Sequence, residues 1–253
     1  MRRACLLAAL LVGCLGHTSA AQEAPLSGYE FLLPETQALQ DDDFANPGML
    51  WVELGERLWT APASGGTSCR SCHDAPETMR GVGARYPKWS QADGRIRSLE
   101  QQINICRTDR QQEKGFPYSS DELNGLTALV MHQSRGLPMS VETDGPAADA
   151  IARGKDYFET RRGQLNLACT NCHIDHRGDR LRGEPISQGQ VNGFPIYRQL
   201  WQGMGSVGRM IAWCNDAVRA EPLAEGSKMA VELELYLRSR GEGLSIESPA
   251  VRR

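Results

Sequence analysis

A five-residue motif of two cysteines and a histidine occurs twice in the chain. Cys69-Arg70-Ser71-Cys72-His73 recurs as Cys169-Thr170-Asn171-Cys172-His173. On a helix the two cysteines and the histidine of such a motif share one face. This pattern is typical of c-type haem attachment, in which the thiols bond the porphyrin and the histidine binds the iron. The sequence therefore predicts two covalently bound haem c groups, attached through Cys69 and Cys72 and through Cys169 and Cys172, with His73 and His173 as iron ligands.

Two other uses of paired cysteines are a zinc site and a disulfide framework. The long separation of the two pairs and the histidine after each pair disfavour zinc. Matching surroundings of the two motifs favour haem over disulfides. Two adjacent haems would also give the chain redox chemistry.

The N-terminus has the pattern of an export signal. Arg2 and Arg3 precede an apolar stretch at residues 4–15, and small residues follow at 18–21. We therefore expect a signal peptide at residues 1–21 and a periplasmic protein. A weaker resemblance to a lipoprotein box would place a lipid anchor on Cys14. No later apolar run is long enough to cross a membrane, so we expect no transmembrane span.

Composition limits the classes of partner. The formal net charge is −3, and removal of Arg2 and Arg3 would make it more negative. Such a charge disfavours nucleic acid as a partner. The hydrophobic fraction of 40% is that of a globular chain rather than a disordered one.

Helical periodicity and weak strand signals predict a mainly α-helical fold. The segments before and after the two haem motifs also resemble each other. We therefore predict two cytochrome c-like domains, at residues 45–143 and 146–248, related by internal duplication. The predicted helices cover residues 50–59, 121–132, 147–160, 206–219 and 227–238.

Two further cysteines, Cys106 and Cys214, lie in equivalent parts of the two halves. A thiolate from each could be the second axial ligand of one haem iron and would lower its reduction potential. A disulfide between them is the main alternative. Methionine or histidine ligands are another, and the available residues are Met131, Met139, Met204, Met210, Met229, His132 and His176.

The segments around these cysteines resemble a known family. Residues 103–107 (Ile-Asn-Ile-Cys-Arg), 192–198 (Asn-Gly-Phe-Pro-Ile-Tyr-Arg) and 213–215 (Trp-Cys-Asn), together with the two haem motifs, are similar to the SoxA family of dihaem cytochrome subunits. The similarity covers roughly residues 50–247. The haem motifs alone are shared by many cytochromes, so the two cysteine segments make the match specific.

The resemblance implies a function. SoxA subunits pair with a monohaem SoxX-type cytochrome and join thiosulfate to a cysteine of the SoxYZ carrier, an L-cysteine S-thiosulfotransferase reaction. By this resemblance, His73 and Cys106 would bind the first haem iron, and His173 and Cys214 the second. Cys214 would be catalytic, and in the family this cysteine is found as a persulfide.

An anionic substrate needs a cationic site, and an arginine suits an oxoanion because its planar guanidinium donates paired hydrogen bonds. We select Arg209, shortly before Cys214, with Arg198 as the second candidate. Other functions compatible with the sequence are a plain dihaem electron carrier, a dihaem peroxidase and a tetrathionate-forming thiosulfate dehydrogenase.

Overall fold

The computed structural model describes residues 24–253, and the predicted signal peptide and Cys14 lie outside the described residues. The helices described are α1 (Pro34–Asp41), α2 (Met49–Thr60), α3 (Arg70–His73), α4 (Leu99–Asp109), α5 (Asp121–His132), α6 (Ala148–Glu159), α7 (Val207–Ala217) and α8 (Lys228–Arg240). The strands described are β1 (Lys88–Ser90), β2 (Arg95–Arg97), β3 (Arg180–Leu181), β4 (Glu184–Pro185), β5 (Ile196–Arg198), β6 (Gly203–Gly205) and β7 (Ala250–Arg252). The fold is therefore mainly α-helical, as predicted.

Serine side chains begin four of the longer helices. The hydroxyls of Ser98, Ser120, Ser206 and Ser227 accept a backbone N–H from the first turn of α4, α5, α7 and α8. Each cap satisfies one of the N–H groups that a helix leaves unpaired at its start. The five predicted helices are confirmed as α2, α5, α6, α7 and α8, with ends that differ by at most two residues from those predicted.

Two pairs of helices cross closely, one pair in each half of the chain. Helix α2 packs on α5, and α6 packs on α8. A glycine lies at each crossing, since a Cβ on Gly55 would be 2.3 Å from the Gly125 carbonyl oxygen and one on Gly154 would be 2.4 Å from that of Glu232. These approaches are too short for any side chain, so both crossings require glycine.

The strands form three small sheets. Strands β1 and β2 make an antiparallel hairpin, and β3 and β4 make another. Strand β5 is the centre of the third sheet, antiparallel to β6 and parallel to β7. Within the described part of the chain, no strand exceeds three residues. Alternation of apolar and polar residues cannot be recognised over so short a run, which explains the weak strand signals.

Three clusters of buried apolar side chains stabilise the fold. The first surrounds α2 and α5 and includes Met204 and Ile246 from the second half of the chain. The second lies around α6, α7 and α8. The third joins Ile96 and Val141 to Val231 and Leu235, so it contains residues from both halves. Because the halves share apolar contacts, the predicted domains 45–143 and 146–248 and their origin by duplication stay predictions.

The segment before α2 contacts the end of the chain. The Gln40 side-chain oxygen accepts hydrogen bonds from the Val251 N–H at 3.1 Å and the Arg252 guanidinium at 2.7 Å. Asn46 donates to the Pro249 carbonyl at 2.9 Å. The sequence assigned residues before 45 to neither domain, but the structure places them on β7.

Within residues 24–253, no helix combines the length and the hydropathy needed to cross a bilayer.

Candidate functional site

The first motif begins α3 and follows a short serine-rich turn. The Ser68 hydroxyl accepts the Ser71 N–H at 3.2 Å, and the Ser71 hydroxyl accepts the Ser68 N–H at 3.0 Å. The His73 ring packs against the Trp59 ring with centroids 5.8 Å apart. The Trp59 indole N–H donates to the Asp74 carbonyl at 2.8 Å. These contacts orient the motif against α2.

The second motif forms a π-helical turn at Asn171–Asp175. The ring of His173 has its Nδ1 atom 2.9 Å from the Ser187 carbonyl oxygen. A carbonyl only accepts, so Nδ1 carries the proton and Nε2 keeps its lone pair. A Cβ on Gly189 would be 2.9 Å from this ring, so the glycine admits the histidine.

These features fit a haem ligand. Burial lowers the pKa of His173, so the imidazole is neutral at physiological pH and able to bind a metal through Nε2. The donor set of two thiols and one imidazole on a single turn is that of a c-type haem site. Cys169, Cys172 and His173 therefore fit the group, and so does the equivalent arrangement of Cys69, Cys72 and His73.

Cys106 lies near the end of α4. Ser98 and Gln101 cap this helix reciprocally, so its start is fixed. The Gln102 side-chain amide donates to Cys106 Sγ at 3.3 Å. Cys106 interacts electrostatically with Cys69, which places it on the side of the first motif.

Cys214 lies as far along α7 as Cys106 lies along α4, and Ser206 caps α7. It interacts electrostatically with Cys169 and Cys172 of the second motif. Burial is the largest cause that raises the pKa of the Cys214 thiol to about 12, and the Arg198 guanidinium opposes it. A thiol with so high a pKa stays protonated at neutral pH unless a metal or another sulfur replaces its proton.

Each of the two cysteines thus faces the motif of its own half. The six cysteines among the described residues include no disulfide. The alternative of a bond between Cys106 and Cys214 is therefore not what the structure shows. Their proposed roles as iron ligands stay predictions.

Two arginines lie close to α7, and the guanidinium of each stacks on a tryptophan. The Arg198 guanidinium lies 4.1 Å from the Trp213 ring centroid and 4.9 Å from that of Trp201. The Arg209 guanidinium lies 4.2 Å from Trp201 and donates to the Met204 carbonyl at 2.8 Å. Of the two, Arg198 is the one that interacts electrostatically with Cys214. The charge of Arg198 therefore acts on Cys214 more strongly than that of Arg209 does.

Two further arginines near the second motif were missed in the sequence analysis. Arg240 donates to the Gln188 carbonyl at 3.0 Å and interacts electrostatically with Cys169 and His173. Arg162 has a guanidinium nitrogen 3.8 Å from Cys169 Sγ. Arg240 is distant in sequence from the motif that it approaches. Arg162 is close to Cys169, but no recognisable spacing marks it as a contact. They supply positive charge beside the motif.

Five of the seven methionines and histidines considered as alternative ligands lie in surroundings that suit other roles. Met131, Met139 and Met204 are buried in the apolar core. His176 is exposed and contacts Asp179 at 3.0 Å. His132 ends α5 half-buried, and burial lowers its pKa.

Comparisons with known proteins agree with this geometry. Residues 54–139 match the family model described as SoxA/TsdA, cytochrome c domain. The L-cysteine S-thiosulfotransferase subunit SoxA of Rhodovulum sulfidophilum is 41% identical over 228 residues, which is 89% of this chain and 79% of that protein. The same subunit of Pseudaminobacter salicylatoxidans is 43% identical over 230 residues, covering 90% and 80% of the two chains. This chain belongs to the SoxA family.

A solved structure supports the same assignment of the fold. The crystal structure of SoxXA from P. pantotrophus superposes with a TM-score of 0.88 at 40% identity, covering 90% of this chain and 87% of that chain. As a SoxA family member with a cytochrome c domain, the chain binds haem c. The family resemblance and the mainly α-helical cytochrome fold predicted from the sequence are therefore confirmed.

Proposed function

We propose that this chain transfers thiosulfate onto a cysteine of the SoxYZ carrier in bacterial thiosulfate oxidation, with Cys214 as the catalytic residue. The observation that carries the proposal is the placement of Cys214 between the second haem motif and the Arg198 guanidinium. Its relatives carry the name of that reaction, L-cysteine S-thiosulfotransferase.

Two haem c groups complete the proposed enzyme. Cys69 and Cys72 would attach the first, and His73 and Cys106 would hold its iron. Cys169 and Cys172 would attach the second, and His173 and Cys214 would hold its iron. When bound, such haems supply one-electron acceptors for an oxidation that releases two electrons.

The chemistry centres on one sulfur–sulfur bond. The Cys214 sulfur bonds to the sulfane sulfur of thiosulfate, and two electrons leave the newly joined sulfurs. A thiolate of the carrier then attacks that sulfane sulfur, and the Cys214 sulfur leaves with the electron pair of the broken bond. The product is a carrier cysteine that bears the thiosulfate group.

The arginine–tryptophan surroundings suit the doubly charged substrate. Arg198 and Arg209 each present a guanidinium on the face of Trp201. Stacking on an aromatic ring orients a guanidinium, and the N–H groups that it does not use within the protein can donate to an oxoanion. We assign the sulfonate of thiosulfate to Arg198 and Arg209. Of the two, Arg198 is the one whose charge interacts with Cys214.

Partner and location follow from the family. The SoxXA structure to which the chain is similar supports a SoxX-type monohaem cytochrome as its partner subunit. The export signal at residues 1–21 supports a periplasmic location, where thiols can form mixed disulfides.

Replacement of Cys214 tests the proposal. We expect Cys214→Ala, in complex with the partner cytochrome, to lower turnover of thiosulfate and carrier at least about a thousandfold, because the group that forms the covalent bond is lost. The measurement is the mass of the carrier after reaction, which also distinguishes conjugation from release of free tetrathionate.

The matched control is Asp216→Ala, an exposed position later on the same helix. It should keep normal turnover, and both variants should keep covalent haem on the four motif cysteines. Conjugation by Cys214→Ala at the parent rate would contradict the proposal and favour a plain electron carrier.

A further inference from the structure

Cys106 and Cys214 occupy the same position in two similar local structures. Each lies in a helix that is capped by a serine and follows an antiparallel hairpin, β1–β2 or β5–β6. Strand pairing gives the same correspondence between residues of the two local structures as the helices do. Arg97 pairs with the first residue of β1, and Gly205 pairs with the first residue of β5. The two cysteines therefore differ through their neighbours rather than through the backbone.

A hydrogen-bonded relay ends on Cys106. Asp93 Oδ2 accepts from Arg97 Nε at 2.9 Å, and Arg97 Nη1 donates to Gln102 Oε1 at 2.8 Å. The Gln102 Nε2 atom then donates to Cys106 Sγ at 3.3 Å. Because a guanidinium only donates, Arg97 fixes the orientation of the Gln102 amide with its NH₂ group toward the sulfur.

The charge of the relay is stable and partly shielded from water. The Arg97 side chain is 12% exposed. Arg97 also lowers the pKa of Asp93, so the carboxylate stays ionised. An amide whose oxygen is held by a cation is a stronger donor, and a hydrogen bond to a sulfur draws electron density from it.

The second site lacks this relay. The residues equivalent to Asp93, Arg97 and Gln102 are Trp201, Gly205 and Met210. A Cβ on Gly205 would be 2.2 Å from the Trp201 ring, so the tryptophan fills the space that an arginine side chain would need.

Met210 cannot replace Gln102 as a donor. Its thioether accepts a contact from Arg198 Nη1 at 3.4 Å. Among residues 24–253, no side chain is placed to donate a hydrogen bond to Cys214 Sγ. Apart from its proposed bond to iron, Cys214 Sγ is therefore left without a hydrogen bond among these residues, whereas one direction at Cys106 Sγ is occupied by Gln102.

We propose that the Asp93–Arg97–Gln102 relay prevents Cys106 from accepting sulfur and so confines sulfur transfer to Cys214. Gln102 acts here as a specificity-determining positioning residue. The inference rests on the proposed function, since it explains why one of two equivalent cysteines is reactive.

The step used to test it needs no oxidant. The cysteine sulfur attacks the sulfane sulfur of thiosulfate, and the sulfur–sulfur bond of thiosulfate breaks. Sulfite leaves with the electron pair of that bond, and the cysteine becomes a persulfide. Thiosulfate carrying heavy sulfur at the sulfane position makes the added atom recognisable by mass.

The experiment uses the complex with the partner cytochrome, in four forms: parent, Gln102→Met, Arg97→Gln and the control Gln91→Met. Gln91 is exposed in the β1–β2 turn, so its variant tests the effect of the substitution itself. Each form is incubated with labelled thiosulfate, and the Cys106 and Cys214 peptides are weighed. The reduction potential of each haem is measured by spectroelectrochemistry.

We expect the label on Cys214 alone in the parent and the control. In Gln102→Met and Arg97→Gln the Cys106 peptide should also gain one labelled sulfur. The ratio of reduced to oxidised haem at a fixed potential should fall roughly threefold to tenfold for one haem, the effect of one lost hydrogen bond. Arg97→Gln keeps the donor residue, so it keeps the test valid if Gln102→Met fails to assemble.

The outcomes separate the two proposals. If Cys214 is labelled in every form but Cys106 in none, the relay has no such role and the proposed function stands. If both cysteines are already labelled in the parent, the relay is again excluded. If Cys214 of the parent takes no label, the acceptor role of Cys214 fails and the relay proposal fails with it.

Discussion

Helices α4 and α7 are built alike and surrounded differently. Both begin at a serine cap after a hairpin, and both place a cysteine against a haem motif. Around Cys106 the neighbours are an amide and an ion pair, whereas around Cys214 they are tryptophans, a methionine and two arginines. One backbone arrangement thus supports two chemical environments, and in our proposal the side chains decide which cysteine reacts.

Among changes that compare the two sites, the largest expected effect comes from giving the second site the residue of the first at a charged position. Arg198 ends β5 where Ser90 ends β1. We expect Arg198→Ser to lower kcat/KM for thiosulfate about tenfold to a hundredfold, the usual cost of a lost hydrogen bond to a charged group. Steady-state kinetics with the carrier check this, with the haem spectrum unchanged.

A second variant tests the order of the two arginines. Arg209→Gln gives α7 the residue that α4 has at the equivalent position, Gln101. Its loss should be smaller, because Arg209 is held by the Met204 carbonyl rather than by the charge of Cys214. A greater loss for Arg209→Gln than for Arg198→Ser would reverse their proposed roles.

The two helix crossings give the next largest effect. Gly55→Ala and Gly154→Ala each insert a methyl group where a backbone oxygen lies 2.3 or 2.4 Å away. Overpacking of this kind costs about 1–3 kcal/mol, so thermal denaturation should show a lower Tm for each. The control is Gly208→Ala, whose Cβ would meet only the flexible Glu225 side chain at 3.3 Å. Unequal losses at the two crossings would mean that they are not equivalent.

The smallest expected effect concerns the pH dependence of stability, to which a buried carboxyl group on α8 contributes. Helix α8 buries Glu234, whose pKa is raised to about 7 by burial first and by Glu100 second, against the nearby Arg238. Since this pKa lies above that of an unfolded glutamate, the folded state holds the extra proton and stability falls as the pH rises between the two values.

Glu234→Gln removes that titration. We expect the Tm of the parent to fall more than that of the variant from about pH 5 to about pH 8. Scanning calorimetry at several pH values measures the difference. An equal pH dependence in both proteins would show that another group is responsible.

Much of the site was predictable because its signals are local. The haem motifs, the two extra cysteines and five helices each occupy a short run of sequence with a recognisable spacing. The choice of Arg209 before Arg198 followed helical spacing, but spacing could not show that the Arg209 guanidinium turns to the Met204 carbonyl. The Arg97–Gln102 contact was missed because both residues look like ordinary polar positions in a hairpin and a helix.

Other missed features depend on contacts between distant parts of the chain. The pairing of β5 with β7 joins residues near 196 to residues near 250. A strand of three residues gives no sequence signal of so distant a partner. Arg240, the last residue of α8, likewise approaches the second motif from a distant part of the sequence. Such contacts arise from packing, which a single sequence does not encode locally.

The apolar cluster around α2 and α5 sets an order of events during biosynthesis. Ribosomes release the N-terminal residues first, yet this cluster is finished by Met204 and Ile246, which are made much later. A chain that ends before Met204 lacks part of this cluster, which also contains Trp59 beside the first haem motif. We therefore expect the first half to complete its packing only when nearly the whole chain is present.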